Sequence, residues 1–239
     1  MRAQRGVALL VVLWVLAVLS TLLAVVAATV QLQLRQARWQ AGHVQALLAA
    51  EAGLSQAIMG LQARDPKARW LADGRPHGLV FADATLAVSV RSERGKLDLN
   101  AAPLGDVRRV LLAGGAPEQS AQAVISSLEV RRNGPTPLRT LEEFRQLDGM
   151  TFALYRRLVP VVTLWSGQPE PDPALAPPAL AEALGLAMAR APGIDSGQIF
   201  TVDSEAQLPT GDHATLQVTL MLTSVKEGAR PYRVLRWQE

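Results

Sequence analysis

Three carboxylates in the middle of the sequence stand close enough together to suggest acid–base chemistry. Glu142 and Glu143 are adjacent, and Asp148 follows shortly after them. Thr140 directly ahead predicts a helix N-cap, and Glu143 at the third position completes a capping box. Acidic side chains in a first helical turn are stabilised by the helix dipole. We therefore interpret the carboxylates as structural. Because the sequence also lacks a nucleophile–base pair and a phosphate-binding loop, we expect no enzymatic activity.

Metal ligation is the second chemistry that the residue types allow. His43, His77 and His213 are isolated in the sequence and do not have the spacing of a zinc site, so we expect them at the surface. Several acidic residues near the C-terminus carry the oxygen ligands that calcium prefers. Their spacing matches no known calcium loop, but they keep a calcium site open as a hypothesis: Asp195, Asp203, Glu205 and Asp212.

The element that must position everything else is an apolar segment at the N-terminus. Residues 7–34 contain no charged side chain, and residues 7–30 are almost wholly apolar. About 20 such residues suffice to cross the hydrocarbon core of a bilayer, which is about 30 Å thick. Arg2 and Arg5 precede the segment, which favours a cytoplasmic N-terminus.

Three interpretations of this segment remain open. It is a secretory signal peptide cut after the small residues 26–28, an ordinary single-pass anchor, or a pilin-like helix cut between Gly6 and Val7. A signal peptide usually has a shorter apolar region of 7–15 residues. The sequence that follows the apolar segment favours the pilin-like helix. Apolar residues recur there at helical spacing from Ala46 to Leu61, and proline is absent until Pro66. A helix over residues 7–64 would be about 87 Å long.

The remainder of the chain predicts strands on both sides of a helical region. Residues 79–91 and 96–100 predict strands, and residues 67–78 predict a loop. Near the C-terminus, residues 198–202, 215–223 and 232–237 predict strands, the last two joined by a turn at Glu227 and Gly228.

Between these strands, short helices are separated by glycine and proline. Asn100 predicts the N-cap of the first helix, and residues 117–132 predict the second. Thr140 and Thr151 begin two more. A short β segment and a final helix follow, over residues 161–166 and 179–190.

These elements predict an α+β fold, with a long N-terminal transmembrane helix packed on a small antiparallel sheet and an inserted all-α domain. The predicted segments are a cleaved basic leader (1–6), a pilin-like helix (7–64, transmembrane over 7–30), sheet strands (65–99 and 195–239) and an inserted, mostly helical domain (100–194).

Composition limits the classes of partner. The net charge is +3 and the basic residues are scattered, so no basic stripe indicates nucleic acid. Leu147-Asp-Gly-Met150, between two predicted helices, is similar to a helix-hairpin-helix, but the acidic Asp148 argues against binding a phosphate backbone. The chain has no cysteine, which excludes disulfides. We expect no nucleic-acid partner.

Several phrases together resemble the K-type minor pseudopilin of the type II secretion system, also called general secretion pathway protein K. A basic leader ending in glycine and fused to a long apolar helix is typical of the whole pilin class. The remaining phrases are more specific, and the resemblance extends over nearly the whole chain: Arg5–Leu10, Lys96–Pro103, Leu141–Met150, Tyr155–Pro160 and Val162–Pro177.

This resemblance implies how the chain is processed and where it acts. A prepilin peptidase would cut after Gly6 and methylate the new amine of Val7, although many pilins begin with Phe at that position. Val11 would then be the fifth mature residue, where most pilin-like proteins carry Glu. In the family that carboxylate is thought to pair with the N-terminal amine of the subunit ahead. A subunit at the filament tip has no subunit ahead, so Val11 is consistent with the tip.

The resemblance therefore implies a minor pseudopilin that initiates or caps a periplasmic pseudopilus for protein export across the outer membrane. The chain would be a single-pass protein of the bacterial inner membrane with its C-terminal domain in the periplasm. Its partners would be the I-type and J-type minor pseudopilins, contacted through the N-terminal helix. No cofactor is certain, and calcium is possible. The alternative is a membrane-anchored periplasmic binding module.

Overall fold

The structure is a computed structural model that describes residues 4–187, 195–223 and 231–239, with side chains from residue 11 onward. Its first element is a single long helix, α1 (Gln4–Leu61). In chain order the described residues then form β1 (Asp73–Phe81), β2 (Ala84–Ser92), β3 (Leu97–Asp98), α2 (Leu104–Ala113), α3 (Glu118–Asn133), α4 (Leu141–Phe144), α5 (Phe152–Leu158), β4 (Val162–Thr163), α6 (Pro178–Leu184), β5 (Ile199–Gln207), β6 (His213–Leu222) and β7 (Tyr232–Gln238).

An antiparallel sheet of five strands, in the order β1-β2-β5-β6-β7, packs against the upper half of α1. Alternate residues of its strands face the helix, as the period of two requires. Val88 on β2 and Val218 on β6 are fully buried there. The intervening residues of β5 and β6 are mostly polar and form the outer face of the sheet. Together with α1 this sheet confirms the predicted α+β class.

The segment between β2 and β5 forms a helical unit with its own hydrophobic core. Phe144 and Leu128 are fully buried in this core, which shares no residue with the core between α1 and the sheet. The short parallel pair β3–β4 belongs to it, because Leu97 pairs with Val162 and both are buried in the helical core. The boundaries of the inserted domain, residues 100 and 194, stay a prediction.

The first strand lies in a segment that the sequence predicted as a loop. β1 begins at Asp73, although Gly74, Pro76 and Gly78 all disfavour a strand. The strand is tolerated because it is an edge strand, where proline needs no backbone donor, and because the register shifts between Asp73 and Pro76. The prediction of a loop was therefore confirmed for residues 67–72 and wrong for residues 73–78.

Two boundaries in the helices also differ from the prediction. α1 ends at Leu61 rather than near residue 64, because the chain folds back and the N–H of Trp70 donates to the carbonyl of Gly60 at 3.0 Å. Asn100 does not cap α2, whose N-cap is Pro103. The amide of Asn100 instead bridges to the backbone of Leu138, accepting from its N–H and donating to its carbonyl.

The C-terminal part combines confirmed and corrected predictions. α6 ends at Leu184, before Gly185 in the left-handed conformation, so the predicted helix over residues 179–190 was too long; residues 188–190 lie outside the described residues. β5 ends at Gln207 rather than at residue 202, and β6 begins at His213 rather than at residue 215. The predicted turn at Glu227 and Gly228, and residues 1–3 of the leader, also lie outside the described residues.

Candidate functional site

The lower half of α1 stands free of the rest of the described chain. Every residue from Val11 to Ala41 is exposed, and Val11 itself is 56% exposed. Among the described residues this is one helix long and apolar enough to cross a membrane, with a mean hydropathy of 2.7 in its most apolar window. A continuous apolar surface of this size is not left in water by soluble monomers. The lower half therefore needs lipid or protein around it.

The upper half of α1 approaches the sheet closely through small residues. Ala46, Ala50 and Ala57 are fully buried against the strands. A Cβ added at Gly53 would collide with Ser204 Oγ and lie 2.9 Å from Val88 Cγ2. The backbone of the helix thus lies directly on β2 and β5.

The end of α1 is closed by stacked rings. A Cβ at Gly60 would lie 2.5 Å from the ring of Trp70, so that ring packs on the helix backbone. His77 of β1 stacks on Trp70 with centroids 3.9 Å apart.

The other two histidines lie elsewhere. His43 stacks on Trp39 of α1 with ring centroids 5.5 Å apart, and His213 lies exposed at the start of β6. The three histidines therefore lie on three different elements, α1, β1 and β6.

The face of α1 opposite the sheet carries uncovered apolar side chains above the membrane segment. Val44 is 53% exposed, Leu48 58% and Met59 57%. At 100° per residue they lie about half a turn away from Ala46, which faces the sheet. This outer face continues the exposed surface of the lower helix, so α1 has one uncovered side from Val11 to Met59.

The four candidate calcium ligands lie apart along β5 and its ends. Asp203 and Glu205 share the outer face of β5, while Asp195 precedes the strand and Asp212 follows it. No group of three potential ligands for a metal occurs within residues 4–187, 195–223 and 231–239. The calcium site stays an untested prediction.

Three of these carboxylates have partners within the protein. Asp203 binds Arg91 at 3.1 Å and accepts from Gln217 at 2.5 Å. Asp212 accepts from the hydroxyl of Thr210 at 2.7 Å. The N–H of Gly197 and the guanidinium of Arg94 hold the pKa of Asp195 below its ordinary value.

The N-cap of the third predicted helix is confirmed, whereas the side chain of Glu143 accepts from the N–H of Arg139 rather than from that of Thr140 as a capping box requires. The hydroxyl of Thr140 accepts from the N–H of Glu143 at 3.4 Å, and Thr151 caps α5 in the same way. Glu143 then binds Arg131 at 2.6 Å. Asp148 accepts from the hydroxyl of Ser127 at 3.1 Å. These contacts leave the carboxylates engaged within the helical unit.

Glu142 connects the helical unit to the edge of the sheet. Its carboxylate accepts from Arg236 of β7 at 2.9 Å, and the same guanidinium donates to the hydroxyl of Tyr155 at 3.2 Å. Burial raises the pKa of Glu142, but its backbone hydrogen bond and Arg236 outweigh this and leave the pKa lowered. Burial raises the pKa of Tyr155. No local pattern indicates this contact, because Glu142 and Arg236 are far apart in the chain.

A buried charge pair, also missed from the sequence, lies where β2 leads into β3. Glu93 is fully buried, and its Oε1 accepts from Lys96 Nζ at 2.5 Å and from the hydroxyl of Thr201 at 2.6 Å. The hydroxyls of Thr201 and Thr219 are 2.8 Å apart. Burial of two charges is tolerated only when they are paired and hydrogen-bonded. The pair thus fixes the junction between the helical unit and the sheet.

Two cavities flank this pair, each with a volume of about 260 Å³. The first lies between the outer face of the sheet and Leu141, Val159 and Pro160 of the helical unit. The second lies beside Glu93 at the other end of β5. Trp165 lines both cavities.

The predicted processing site lies at the start of α1. Gly6 and Val7 have helical backbone, and their side chains lie outside the described residues. Cleavage between them stays a prediction.

Comparison with known proteins yields a structural likeness. No protein-family model matches the sequence, and no curated protein matches it significantly. Among solved structures, the chain is similar to a chain in the crystal structure of the GspK-GspI-GspJ complex from the type 2 secretion system of enterotoxigenic Escherichia coli. The identity is 16% and the TM-score 0.57, over 85% of this chain and 98% of that chain. The resemblance predicted from the sequence is thereby confirmed at the level of fold.

Proposed function

We propose that this protein is a K-type minor pseudopilin at the tip of the periplasmic pseudopilus of a type II secretion system, where it initiates or caps assembly for protein export across the outer membrane. The observation that carries the proposal is the likeness in fold to a component of the GspK-GspI-GspJ complex over 85% of the chain. The role is that of a structural subunit rather than an enzyme.

The long helix supplies the surface for assembly. Its lower half is exposed all round, and residues 11–30 are almost wholly apolar, which suits both a bilayer and the core of a filament. Higher up, Val44, Leu48 and Met59 leave the side away from the sheet uncovered. We place the I-type and J-type minor pseudopilins against this outer face.

Processing and location follow from the same resemblance. A prepilin peptidase cuts between Gly6 and Val7 and methylates Val7, which makes Val11 the fifth mature residue. The apolar helix crosses the inner membrane once, with the sheet and the helical unit in the periplasm. Calcium bound by some of the four C-terminal carboxylates would stabilise the domain, and nucleic acid has no role.

The direct test is co-purification with I-type and J-type partners after expression with a prepilin peptidase. We expect the three proteins to form a complex, and we expect the mature chain to begin at N-methylated Val7 by mass spectrometry. A chain that begins at Met1 and purifies alone would contradict the proposal.

A matched pair of substitutions locates the partner surface. Val44→Glu places a charge on the outer face of α1, and Val130→Glu places the same charge on α3, where Val130 is 72% exposed. We expect Val44→Glu to prevent co-purification and Val130→Glu to leave it unchanged. If the two variants co-purify with the partners to the same extent, the partners do not bind the outer face of α1.

The second candidate is a membrane-anchored periplasmic binding module. The cavities between the sheet and the helical unit favour it, since ligand sites often lie between two such units. It predicts a protein that stays intact at Met1 and does not assemble with other pilin-like subunits.

A further inference from the structure

One end of the sheet faces the apolar part of α1. The β1–β2 turn and the β5–β6 turn both lie at this end, because the start of β2 pairs with the end of β5. The β5–β6 turn contacts the helix, since a Cβ added at Gly42 would collide with the carboxylate of Asp212. The opposite end of the sheet lies beside Gly60, which Trp70 covers. We refer to the end with the two turns as the lower end of the sheet.

The β1–β2 turn at the lower end is apolar although it is exposed. Val80 is 78% exposed, and Phe81 beside it is also exposed. Two-residue hairpin turns usually contain asparagine or glycine, which adopt a positive φ readily. Here the first turn residue is Ala82 with a φ of 50°, a left-handed conformation that is unfavourable for alanine. Neither the exposed side chains nor the turn residue suits water, so this turn is a candidate contact surface.

The apolar run of α1 is longer than the bilayer core that it would cross. Residues 7–30 are almost wholly apolar. As a helix they extend about 36 Å, whereas the hydrocarbon core is about 30 Å thick. A helix that is too long for the core is accommodated by tilting. A tilted α1 brings one edge of the sheet closer to the membrane surface than the other.

The edge that carries the apolar turn lies to one side of the helix axis. α1 packs mainly on β2, β5 and β6, and it contacts β1 much less. Neighbouring strands are about 4.8 Å apart, so β1 lies about 10 Å to the side of β5. A tilt of α1 towards β1 therefore lowers the β1–β2 turn towards the membrane, and a tilt in the opposite direction raises it.

Residues typical of a membrane surface lie directly below the sheet. Arg35, Arg38 and Trp39 are exposed on α1. Helical side chains point towards the N-terminus of their helix, which here is the direction of the bilayer. Arginine reaches lipid phosphates in this way, and tryptophan favours the interface. The helix rises only about 4.5 Å from Trp39 to Gly42, so a membrane surface at these anchors lies within one helical turn of the sheet.

We propose that the lower end of the sheet rests on the surface of the phospholipid bilayer, with Val80 and Phe81 inserted among the headgroups and Asp83 at their aqueous side. Apolar side chains at a bilayer surface give this contact, so it needs no particular headgroup. The contact holds the domain in one orientation while α1 is in the membrane. The proposal rests on the membrane-spanning role of α1 proposed above, and not on assembly with I-type and J-type partners.

The test measures how deep single side chains lie in a bilayer. The chain has no cysteine, so one introduced cysteine at a time can carry a nitroxide label. The full chain is placed in nanodiscs of phosphatidylethanolamine and phosphatidylglycerol. Electron paramagnetic resonance then compares the access of oxygen, which concentrates in lipid, with that of a water-soluble nickel chelate. A higher ratio of oxygen access to nickel access indicates a deeper label.

Three labelled positions give the comparison. Leu22→Cys lies in the apolar part of α1 and is the reference in lipid. Leu71→Cys is the matched control for Val80→Cys, because Leu71 is 67% exposed and precedes Ala72, which pairs with the last residue of β2 at the upper end of the sheet. We expect the ratio at Val80 to shift from the value at Leu71 towards the value at Leu22.

The reference position separates the two ways in which the inference can fail. Equal ratios at Val80 and Leu71, with a lipid value at Leu22, would overturn the contact and leave the membrane-spanning helix intact. An aqueous value at Leu22 would overturn the membrane-spanning helix and the contact together.

A matched pair of substitutions tests whether the apolar turn makes the contact. The label is moved to Thr85→Cys, because Thr85 is exposed and lies opposite Val80. Val80→Gln should lower the ratio at this label, whereas Leu71→Gln should leave it unchanged. Both positions are exposed, so neither change removes a buried side chain. Equal ratios in the two variants would overturn the role of the turn.

Discussion

In the proposed pseudopilin, Val11 is the fifth mature residue and lacks the carboxylate that other pilin-like proteins carry there. An unpaired carboxylate at membrane depth costs about 2.5–3.5 kcal/mol, and it persists only with a partner. Val11 is exposed on the free part of α1, so no residue of the described chain would neutralise a charge there. In a tip subunit no neighbouring amine lies ahead to supply the partner.

We therefore expect Val11→Glu to reduce incorporation into the complex with I-type and J-type partners, while Val11→Leu retains it. Co-purification yield relative to wild type measures the effect. If the Glu variant assembles as well as wild type, the missing carboxylate carries no information about position in the filament.

Gly53 is the residue that sets the distance between α1 and the sheet. An added methyl group would meet Ser204 Oγ and Val88 Cγ2, both in the buried layer. Overpacking of this kind typically costs about 1–3 kcal/mol. We expect Gly53→Ala to lower the thermal unfolding midpoint of the full chain in micelles, followed by circular dichroism.

Gly105 in α2 is the control for that substitution, because a Cβ there meets nothing within 4 Å. Gly105→Ala should leave the midpoint unchanged or raise it, since alanine favours a helix over glycine. Equal losses in the two variants would mean that α1 does not rest directly on the strands.

At the scale of elements, α4 and β7 are joined by the contact of Glu142 with Arg236. The side chain of Arg236 is 8% exposed and that of Glu142 51% exposed, so solvent screens the pair from one side. Such a pair contributes about 0.2–1 kcal/mol. The Glu142–Arg236 pair therefore orients the helical unit against the edge of the sheet more than it stabilises the fold.

The pair predicts a pH dependence of stability. The pKa of Glu142 is lowered from its ordinary 4.5. The stabilisation is therefore present above pH 4.5 and is lost as the pH falls through the lowered pKa. Glu142→Gln should be less stable than wild type at pH 7 in denaturant unfolding, with the difference vanishing at acidic pH.

Glu129→Gln serves as the reference for that experiment, because Glu129 is exposed on α3 away from β7. We expect no difference from wild type at either pH. A Glu142→Gln effect that persists unchanged at acidic pH would show that packing, rather than the charge, is responsible.

At the scale of the whole molecule, two hydrophobic cores lie side by side. One core lies between α1 and the sheet, and the other lies inside the helical unit. They are connected by polar contacts, including the Glu93–Lys96 pair and the Glu142–Arg236 pair. Separate cores of this kind favour partly independent unfolding.

We expect Phe144→Ala, which removes a fully buried ring from the helical core, to cost about 3–5 kcal/mol in that unit. Hydrogen exchange measured by mass spectrometry should show faster exchange in α2, α3 and α5 and little change in β5 and β6. Equal acceleration in both parts would mean that the two cores unfold as one cooperative unit.

The sequence by itself determined the parts that depend on local periodicity and composition. An uncharged apolar run followed by apolar residues at helical spacing predicted α1, because both signals lie in consecutive residues. Thr140 and Thr151 predicted two helix starts, because a cap and its target are three residues apart. The phrases around Leu141–Met150 and the leader pointed to the fold that the comparison with a secretion complex confirms.

Only the tertiary structure decided which distant residues meet. The first six residues of β1, 73–78, were missed because their pairing with β2 and their place at the edge outweigh the proline and glycines. Glu93 and Glu142 have partners on β5 and β7 that no local pattern links to them. The first cavity exists only where the helical unit meets the outer face of the sheet. Contacts between residues far apart in the chain depend on how elements pack, and packing has no signature in a single stretch of sequence.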